Sequence, residues 1–307
     1  MREILNGAGT KIFFGILHPD SMAQDPIPEP PDVLVTLSAV AAAGAPAIAV
    51  ASLPDVLPAG SALEFYPPAN VTAVTLGAIA LKGALSITTV ALPKAIAVGA
   101  KIRFPGYEFE VEVSASAVAT ATSVSVKQLK EGLANSAVGY VFTGAYRTAY
   151  TTGHAPASAT LVPVFLDEGI VSGAIALHRG MILLQGGKSA KDDTKTDEEV
   201  TALFGDSGGY TNGTATNSTW SISYEALALG GEPGYYRLAY AARHAAKGIY
   251  GYVLKRDTPP AGFTYGTEVK GICQVMGNTR DNPSTGSINF STKFNGRGEP
   301  EDTPPRR

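Results

Sequence analysis

The chain has little of the chemistry on which disulfide-stabilised proteins, zinc proteins and nucleic-acid-binding proteins depend. Its 307 residues include a single cysteine, Cys273, which excludes an internal disulfide and a cysteine-based zinc cage. Charged residues make up only 17% of the chain and the formal net charge is −3, so no overall basic field exists to hold nucleic acid. Cys273 lies in the apolar stretch KGICQVMG, which predicts a buried structural side chain rather than a reactive thiol.

Long hydrophobic runs are also scarce. The N-terminal stretch MREILNGAGTKIFFGIL carries charges where a signal peptide needs its apolar core, so export by that route is not expected. Residues 33 to 54 form an uncharged run that is long enough to span a membrane. Gly44 and Pro46 interrupt this run, however, and alanine supplies most of its apolar character. We therefore expect strands and a turn there, in a soluble protein that does not insert into membranes.

Turn-forming and strand-forming residues, by contrast, are abundant. The chain holds 34 glycines and 21 prolines together with many Ala, Val, Thr and Ser, a composition typical of short strands joined by many turns. Stretches such as SITTV and TSVSV alternate with a period of two, which buries one face of a strand. The expected fold class is mainly β.

The middle of the chain repeats itself. Residues 45 to 65, APAIAVASLPDVLPAGSALEF, align with residues 84 to 104, ALSITTVALPKAIAVGAKIRF, at an offset of 39. A degraded third copy spans residues 121 to 142 after one inserted residue. Each copy is an alternating strand, a turn, a second bend and another strand that ends on phenylalanine. We interpret residues 38 to 145 as an inserted accessory domain of β-repeats.

The segments on either side are predicted to form one discontinuous domain, residues 1 to 37 and 146 to 296. The strand TKIFFGIL precedes a proline-rich loop, HPDSMAQDPIPEPPD, and several further strands follow the insert. One segment, GGEPGYYRLAYAARHAAKG, is predicted to be helical, because Pro233 suits a first turn and Gly248 a C-cap. Residues 297 to 307 contain no apolar run and are expected to be mobile.

The stretch FGDSGGY, residues 204 to 210, contains the five residues that surround the nucleophile of trypsin-like proteases. Such a site also needs a histidine base and an aspartate. None of the four histidines lies in the Ala-Ala-His-Cys setting of that family, and His244 follows Ser207, which is the wrong order. A glycine-rich turn explains the stretch without catalysis, so we expect no catalytic residue and no enzymatic activity. A serine hydrolase that uses Ser207 is the remote alternative.

An acidic run precedes this motif and consists of Asp192, Asp193, Asp197, Glu198 and Glu199. The run lacks the glycine and the alternate-residue spacing of an EF-hand loop. The chain also shows no phosphate-binding glycine loop and no paired histidine ligands. We expect a solvated loop that enters a short helix through a capping box of Thr196 and Glu199, and we expect neither a metal nor a cofactor.

Residues 181 to 296 carry an ordered series of features. The strand MILLQGG leads into the polar loop KSAKDDTKTDEEVTALFGDSGGYTNGTATNST, which is followed by WSISYEAL, the helix GYYRLAYAARHAAKG and the strand IYGYVLKRD. The series closes with VKGICQVMGNTRDNPSTGSINFSTKFNGRGEP, where Asp281, Asn282 and Pro283 lie in a loop between two strands. The last strand alternates, with one face formed by Ile288, Phe290, Thr292 and Phe294 and the other by Ser287, Asn289, Ser291, Lys293 and Asn295. In this order of features the segment resembles the tail tube proteins of long-tailed bacteriophages. The insert at 38 to 145 departs from a minimal member of that family.

The resemblance implies a two-sheet antiparallel β-sandwich with one flanking α-helix, which carries the inserted β-repeat domain. It implies a virion tail subunit, assembled in the bacterial host cytoplasm, whose homo-hexameric rings stack into the conduit for DNA ejection. The resemblance implies terminator, baseplate and tape-measure proteins as partners, and it does not decide whether a sheath protein is a further partner. Genomic DNA would pass through the tube without specific binding. Loops at 18 to 32 and 188 to 219 would reach the neighbouring ring. Residues expected at subunit or inter-ring contacts are Pro28, Pro30, Asp192, Asp193, Glu198, Glu199, Trp220, Ile288 and Phe290.

An alternative function lies in the insert, which would bind host surface glycans or another tail protein. Sugar binding uses exposed aromatic residues. The insert offers few of them, namely Phe65, Tyr66, Phe104, Tyr107, Phe109, Tyr140 and Phe142. Several of these occupy repeat positions that we expect to be core, so the tail tube function is preferred. A terminator or baseplate ring protein of the same fold fits the pattern equally well.

Overall fold

The structure is a computed structural model that describes residues 10–23, 27–107, 109–185, 187–201, 212–227, 233–260, 263, 266–281 and 289–305. The chain divides into two compact units: unit 1 comprises Met1–Pro30 and Gly180–Arg307, and unit 2 comprises Pro31–Arg179. Throughout the described residues the chain is mostly β, with several antiparallel sheets and one α-helix, α1 (Pro233–His244). The expected mainly β class with one helix is confirmed. No helix in these ranges is long and apolar enough to cross a membrane.

The chain starts in unit 1, passes through all of unit 2 and then returns to unit 1. Unit 1 contributes the first, β1 (Lys11–Ile16). The strands of unit 2 are β2 (Val33–Thr36), β3 (Ala47–Ala49), β4 (Ala62–Phe65), β5 (Val71–Thr75), β6 (Ser86–Thr88), β7 (Lys101–Arg103), β8 (Glu110–Glu112), β9 (Ser123–Ser125), β10 (Val138–Phe142), β11 (Arg147–Thr151), β12 (Leu161–Leu166) and β13 (Ile175–His178). The chain then returns to unit 1 with β14 (Ile182–Leu183), β15 (Gly187–Thr201), β16 (Asn212–Leu227), β17 (Gly251–Arg256), β18 (Glu268–Asp281), β19 (Asn289–Gly296) and β20 (Glu301–Thr303).

Unit 1 is built on one antiparallel sheet. Its described strands run in the order β14-β1-β17-β18-β19-β16-β15, and β20 pairs with the start of β18. Alternate residues of these strands form a core on one face of the sheet, where Phe14 and Phe294 pack with their ring centroids 5.5 Å apart. Cys273 is fully buried in this core, as predicted, and burial raises the pKa of its thiol.

Helix α1 packs on this core. It begins at Pro233, whose fixed φ suits a first turn and whose missing N–H would have no partner there. A short 3₁₀ helix, Ala245–Lys247, extends it, and Gly248 closes it in the left-handed region at φ 80°. Leu238 is fully buried against the sheet. The predicted helix and both of its ends are confirmed.

Unit 2 contains four copies of the repeated motif, one more than the sequence alignment detects. Every copy has two tight turns with a residue in the left-handed region: Gly44 and Gly60, Gly83 and Gly99, Thr120 and Ser136, and Ser158 and Gly173. The fourth copy, residues 150 to 179, has an aspartate where the first two copies have the proline of Leu-Pro, and His178 takes the buried place of their last phenylalanine. In the third copy that place belongs to Val141 and not, as the alignment predicts, to Phe142.

The four copies pair to form two modules, one inserted into the other. Copies 1 and 4 form the outer module (residues 31 to 66 and 146 to 179), and copies 2 and 3 form the inner module (residues 67 to 145), each around its own core. Isolated bridges join the paired copies: Ala41 to Ile170 and Leu57 to Ala155, and Ala80 to Leu133 and Ile96 to Ala117. Unit 2 therefore extends beyond the predicted insert of 38 to 145, because copy 1 completes its core with copy 4.

Two segments predicted to be irregular contain strands. Residues 188 to 219, predicted as a loop with a short helix at Thr196 and Glu199, contain most of β15 and the first half of β16. Pairing between these strands satisfies the backbone of a polar segment that has no apolar helical face, and its many threonines favour strands. The tail predicted to be mobile, residues 297 to 307, contributes β20 to the sheet. Residues 33 to 54 contain β2 and β3, so the expected strands and turn are confirmed.

Candidate assembly surface

The hairpin of β15 and β16 projects beyond the sheet of unit 1. The two strands pair with each other along their described length. The next strand of the sheet, β19, pairs with β16 only from Ser221 to Leu227. Among the described strands, residues 194 to 201 and 212 to 220 therefore pair only with each other. We call these two stretches the arm.

Trp220 fixes the root of the arm. It is 5% exposed, and its indole Nε1 donates a hydrogen bond of 2.9 Å to the carbonyl of Gly298. Gly271 and Gly296 make room for the ring, because a Cβ atom at either position would overlap it. Trp220, predicted at a subunit contact, is thus buried within its own unit, where it ties the arm to β18 and β19.

A buried lysine also holds β15 at the root. The Nζ of Lys255 in β17 lies 3.0 Å from a carboxylate oxygen of Asp192 and 3.1 Å from one of Asp257. Burial alone would lower the pKa of Lys255, but the hydrogen bonds and charges of the two aspartates outweigh burial and raise it. Burial likewise opposes ionisation of Asp192, yet the hydrogen bond and charge of Lys255 lower the pKa of its carboxyl group. Asp192, predicted at a contact, is therefore engaged within unit 1, although half of its side chain is exposed.

The face of β16 and β19 that points away from the core is polar. Its members are exposed or half-buried side chains, mostly hydroxyls and amides: Ser221, Ser223, Glu225, Asn289, Ser291, Lys293 and Asn295. The strand register places Ser223 beside Lys293 and Glu225 beside Ser291. We call this surface the polar face. Strand β15 borders this face: Lys191 lies opposite Ser223, Asp193 lies opposite Ser221, and the Nζ of Lys188 donates a hydrogen bond to the Oδ1 of Asn289.

The sheet of unit 1 ends in two different edges. One edge is β15, a strand of 15 residues, and no described strand pairs with its outer side. The other edge is the two-residue strand β14 beside β1. An unpaired edge presents backbone donors and acceptors to which another chain can add a strand. The exposed lysines at 188 and 191 in β15 oppose uncontrolled pairing of that kind.

Several predicted contact residues lie inside unit 1 rather than on its surface. Phe290 is 4% exposed, and its ring packs against Tyr224 and Tyr235 with centroids 5.9 Å and 5.2 Å away. The alternation that places Phe290 on the core face of β19 is as predicted. Pro30 is buried, and Pro28 is half-buried. Phe290 and Pro30 therefore have little surface to offer to a second subunit.

The remaining predicted contact residues lie at the arm or outside the described structure. Asp193 is exposed at the root, and Glu198 and Glu199 belong to the arm strand of β15. Ile288 lies outside the described residues, as does Ser207 with the whole Gly-Asp-Ser-Gly-Gly stretch. Within the described ranges, no group of three or more His, Cys, Asp or Glu residues is placed to hold a metal ion.

Sequence reasoning missed one half of the polar face. It recognised the alternating polar positions of β19 but not their neighbours in β16, Ser221, Ser223 and Glu225. The signal was present, because WSISYEAL alternates apolar and polar residues in the same way as SINFSTKF. What the sequence alone could not supply was the pairing of these two strands across more than sixty intervening residues.

Comparisons with known proteins add little to this geometry. No protein-family model matches the chain, and no curated protein matches it. Similar solved structures include a chain from the tail of an empty GTA particle, refined helically with C6 symmetry. The TM-score is 0.33 and the sequence identity 12%, over 41% of this chain and 87% of that one. A similarity at this level establishes neither a shared fold nor a family.

Proposed function

We propose that the chain is a structural subunit of a phage tail tube, in which unit 1 forms hexameric rings and stacked rings form the conduit for DNA ejection. The sequence resemblance of residues 181 to 296 to tail tube proteins suggests the class of protein. The observation that carries the proposal is the long edge strand β15, whose outer side has no partner in the described part of the chain. Closing six sheets edge to edge into a ring removes such edges.

In this proposal the arm makes contacts between successive rings. It extends past the last paired residue of β19 and consists of two strands that pair only with each other among those described. A two-stranded hairpin is marginally stable alone in water, so it gains stability by packing against a neighbour. The buried Trp220 and the ion pair of Lys255 hold its root in place.

The polar face is the side of the sheet that suits the wall of a DNA conduit. Phosphate groups bind tightly where several lysines or arginines converge, and such binding would slow the passage of DNA. On the polar face and at its border with β15, the lysines at 188, 191 and 293 are interspersed with the carboxylates of Asp193 and Glu225 rather than gathered into one basic patch. Serine and asparagine side chains keep such a wall wet without holding the DNA backbone.

The proposal gives the chain no catalytic role. Ser207 then lies in the segment that links the two strands of the arm, and Gly-Asp-Ser-Gly-Gly serves as an inter-subunit loop. Terminator, baseplate and tape-measure proteins are the expected partners, in a virion assembled in the host cytoplasm. A fluorophosphonate probe is expected to leave Ser207 unlabelled, and labelling that Ser207→Ala abolishes would support the serine hydrolase instead.

Electron microscopy of the purified chain over a range of concentrations tests the proposal. Six-fold rings or stacked tubes are expected as the concentration rises, because edge pairing between subunits is concentration-dependent. A monodisperse monomer at every concentration would overturn the proposal.

A further inference from the structure

Unit 2 carries a row of aromatic side chains on its outward surface. The inward side chains of its sheets fill the two module cores, where Phe65 and Phe104 are 0% exposed. Other aromatic residues take alternate strand positions or flank the strands, and of these only Tyr66 is buried, at 9% exposure. We call them the aromatic row: Tyr140, Phe142, Tyr66, Tyr146, Tyr150 and Phe165.

The members of the row are neighbours in space. Ring centroids lie 6.2 Å apart between Tyr140 and Phe142, 4.9 Å between Phe142 and Tyr66, and 5.3 Å between Tyr66 and Tyr146. Tyr150 follows in β11 and lies directly opposite Phe165 in β12. Tyr146 is 44% exposed and Phe165 is 55% exposed. The row therefore crosses from the inner module to the outer module and keeps rings open to solvent.

Polar groups accompany the rings. The hydroxyl of Tyr66 donates a hydrogen bond of 3.3 Å to the carboxylate of Glu64. Burial and the nearby charge of Glu64 raise the pKa of Tyr66 to about 12, and the charge of Glu64 also raises the pKa of Tyr146. Both hydroxyls therefore stay protonated at neutral pH, and the Tyr66 oxygen, whose proton goes to Glu64, can still accept a hydrogen bond. Glu64 lies opposite Thr148, so small polar groups separate the rings along this sheet.

The charges beside the row balance one another. Arg103, whose guanidinium lies 5.8 Å from the ring centroid of Phe142, shares Glu110 with Lys101, and the two cations lie 2.7 Å and 2.9 Å from its carboxylate oxygens. Arg147, next to Tyr146, pairs with Glu168 at 2.6 Å. Together with Glu64, the two paired carboxylates match the three cations Lys101, Arg103 and Arg147. The row therefore has no surplus of positive charge for a polyanion such as nucleic acid, which binds through cations that are available to its phosphates.

We propose that the aromatic row is a binding site for a neutral, linear polysaccharide. A sugar ring has an apolar face that packs on an aromatic ring, and a rim of hydroxyls that can donate to acceptors such as the oxygens of Tyr66 and Glu64. The row consists of six side chains, whereas a globular protein partner usually contacts about 20 to 30 residues on each side. The site lies entirely in unit 2, so the inference does not rest on the tail tube proposal.

Calorimetric titration of the full chain with linear hexasaccharides tests the site. The neutral probes are hexasaccharides of glucose, mannose, rhamnose and N-acetylglucosamine, and a heparin hexasaccharide is the anionic probe. At least one neutral hexasaccharide is expected to bind, and heparin is not. Binding of none of the neutral probes, or preferential binding of heparin, would overturn the proposal.

Exposed side chains allow matched variants that leave the cores intact. Tyr146→Ala and Phe165→Ala are each expected to weaken binding about tenfold, as truncation of an aromatic anchor does. The control variants are Val118→Ala and Leu81→Ala, which truncate side chains of the same unit that are 71% and 72% exposed. Both controls are expected to bind like the parent chain. Equal losses in both pairs would show that the row is not the site.

Discussion

The two units of this chain treat the edges of their sheets in different ways. In unit 2 no described strand is longer than the six residues of β12, and each short strand pairs within a module that buries its own core. In unit 1 the strands β15, β16 and β18 have 15, 16 and 14 residues, and β15 leaves its outer edge unpaired among the described strands. The short strands of unit 2 find their partners within the unit, whereas the described part of unit 1 has a long sheet edge to which another chain can add a strand.

This difference suits the units to two different proposed tasks, assembly and ligand binding. A unit with an open sheet edge and a projecting hairpin gains stability when other copies of the chain complete it. A unit whose modules are closed gains nothing from such pairing and is free to carry an accessory surface. We therefore propose that unit 1 assembles and that unit 2 binds a ligand.

Removal of the arm is expected to have the largest effect. Residues 195 to 219 are replaced by Asn-Gly, which forms a tight hairpin turn between Thr194 and Trp220. Electron microscopy is expected to show no stacked tubes, because the contacts between rings are gone. In the control, Asn-Gly replaces the inner module between Tyr66 and Tyr146, whose rings lie 5.3 Å apart, and tubes are expected to persist. Tubes without the arm would refute its role.

Core truncations come next in size. Phe104→Ala in the inner module and Phe294→Ala in unit 1 each empty a fully buried position, and each is expected to cost about 3 to 5 kcal/mol of unfolding free energy. Denaturant titration measures the loss, and microscopy measures assembly. Only Phe294→Ala is expected to abolish rings. Loss of rings in Phe104→Ala at a concentration where the chain remains folded would contradict the division of tasks.

Turn substitutions in unit 2 have smaller and opposite effects. Thr120 holds φ at 69°, a strained value for a β-branched residue, and Gly83 occupies the equivalent turn in the second copy. Thr120→Gly is expected to stabilise unit 2 by about 1 kcal/mol, and Gly83→Ala to destabilise it by about the same amount. Denaturant titration resolves both changes. The same sign for the two substitutions would contradict the equivalence of the copies.

The smallest effect concerns pH at the arm root. Since the pKa of Asp192 is lowered from 3.8, its pair with Lys255 contributes stability above pH 3.8, and this contribution is lost as the pH falls through the folded-state pKa. Asp192→Asn is expected to cost about 0.5 kcal/mol at pH 7, since the carboxylate is half exposed. The difference from the parent should vanish below the folded-state pKa. A difference that does not vary with pH would show that the charge is not involved.

The sequence predicts the local structure better than the pairing. It locates helix α1 through Pro233 and Gly248, and the core positions of β19 through their alternation. It misplaces the limits of the insert because the fourth copy has lost the Leu-Pro signal and has His178 in place of phenylalanine. The residues of copy 1 give no sign that copy 4, more than a hundred residues further along the chain, completes its core.

The arm shows a second limit of sequence reasoning. A stretch as polar as residues 188 to 219 indicates a loop when each residue is judged by hydrophobicity. Its strands pair with each other through their backbones. Hydrophobic periodicity carries no information about such pairing, so the arm and its buried anchor Trp220 become visible only in the structure.

The most direct test of the account is electron microscopy of unit 1 without unit 2. The chain leaves unit 1 at Pro30 and re-enters it at Gly180, and both residues lie close to Gly15, so a short glycine linker can replace residues 31 to 179. The account predicts six-fold rings and stacked tubes under the conditions in which the full chain forms them. If the full chain assembles and the shortened chain stays folded but monomeric, the assignment of assembly to unit 1 is wrong.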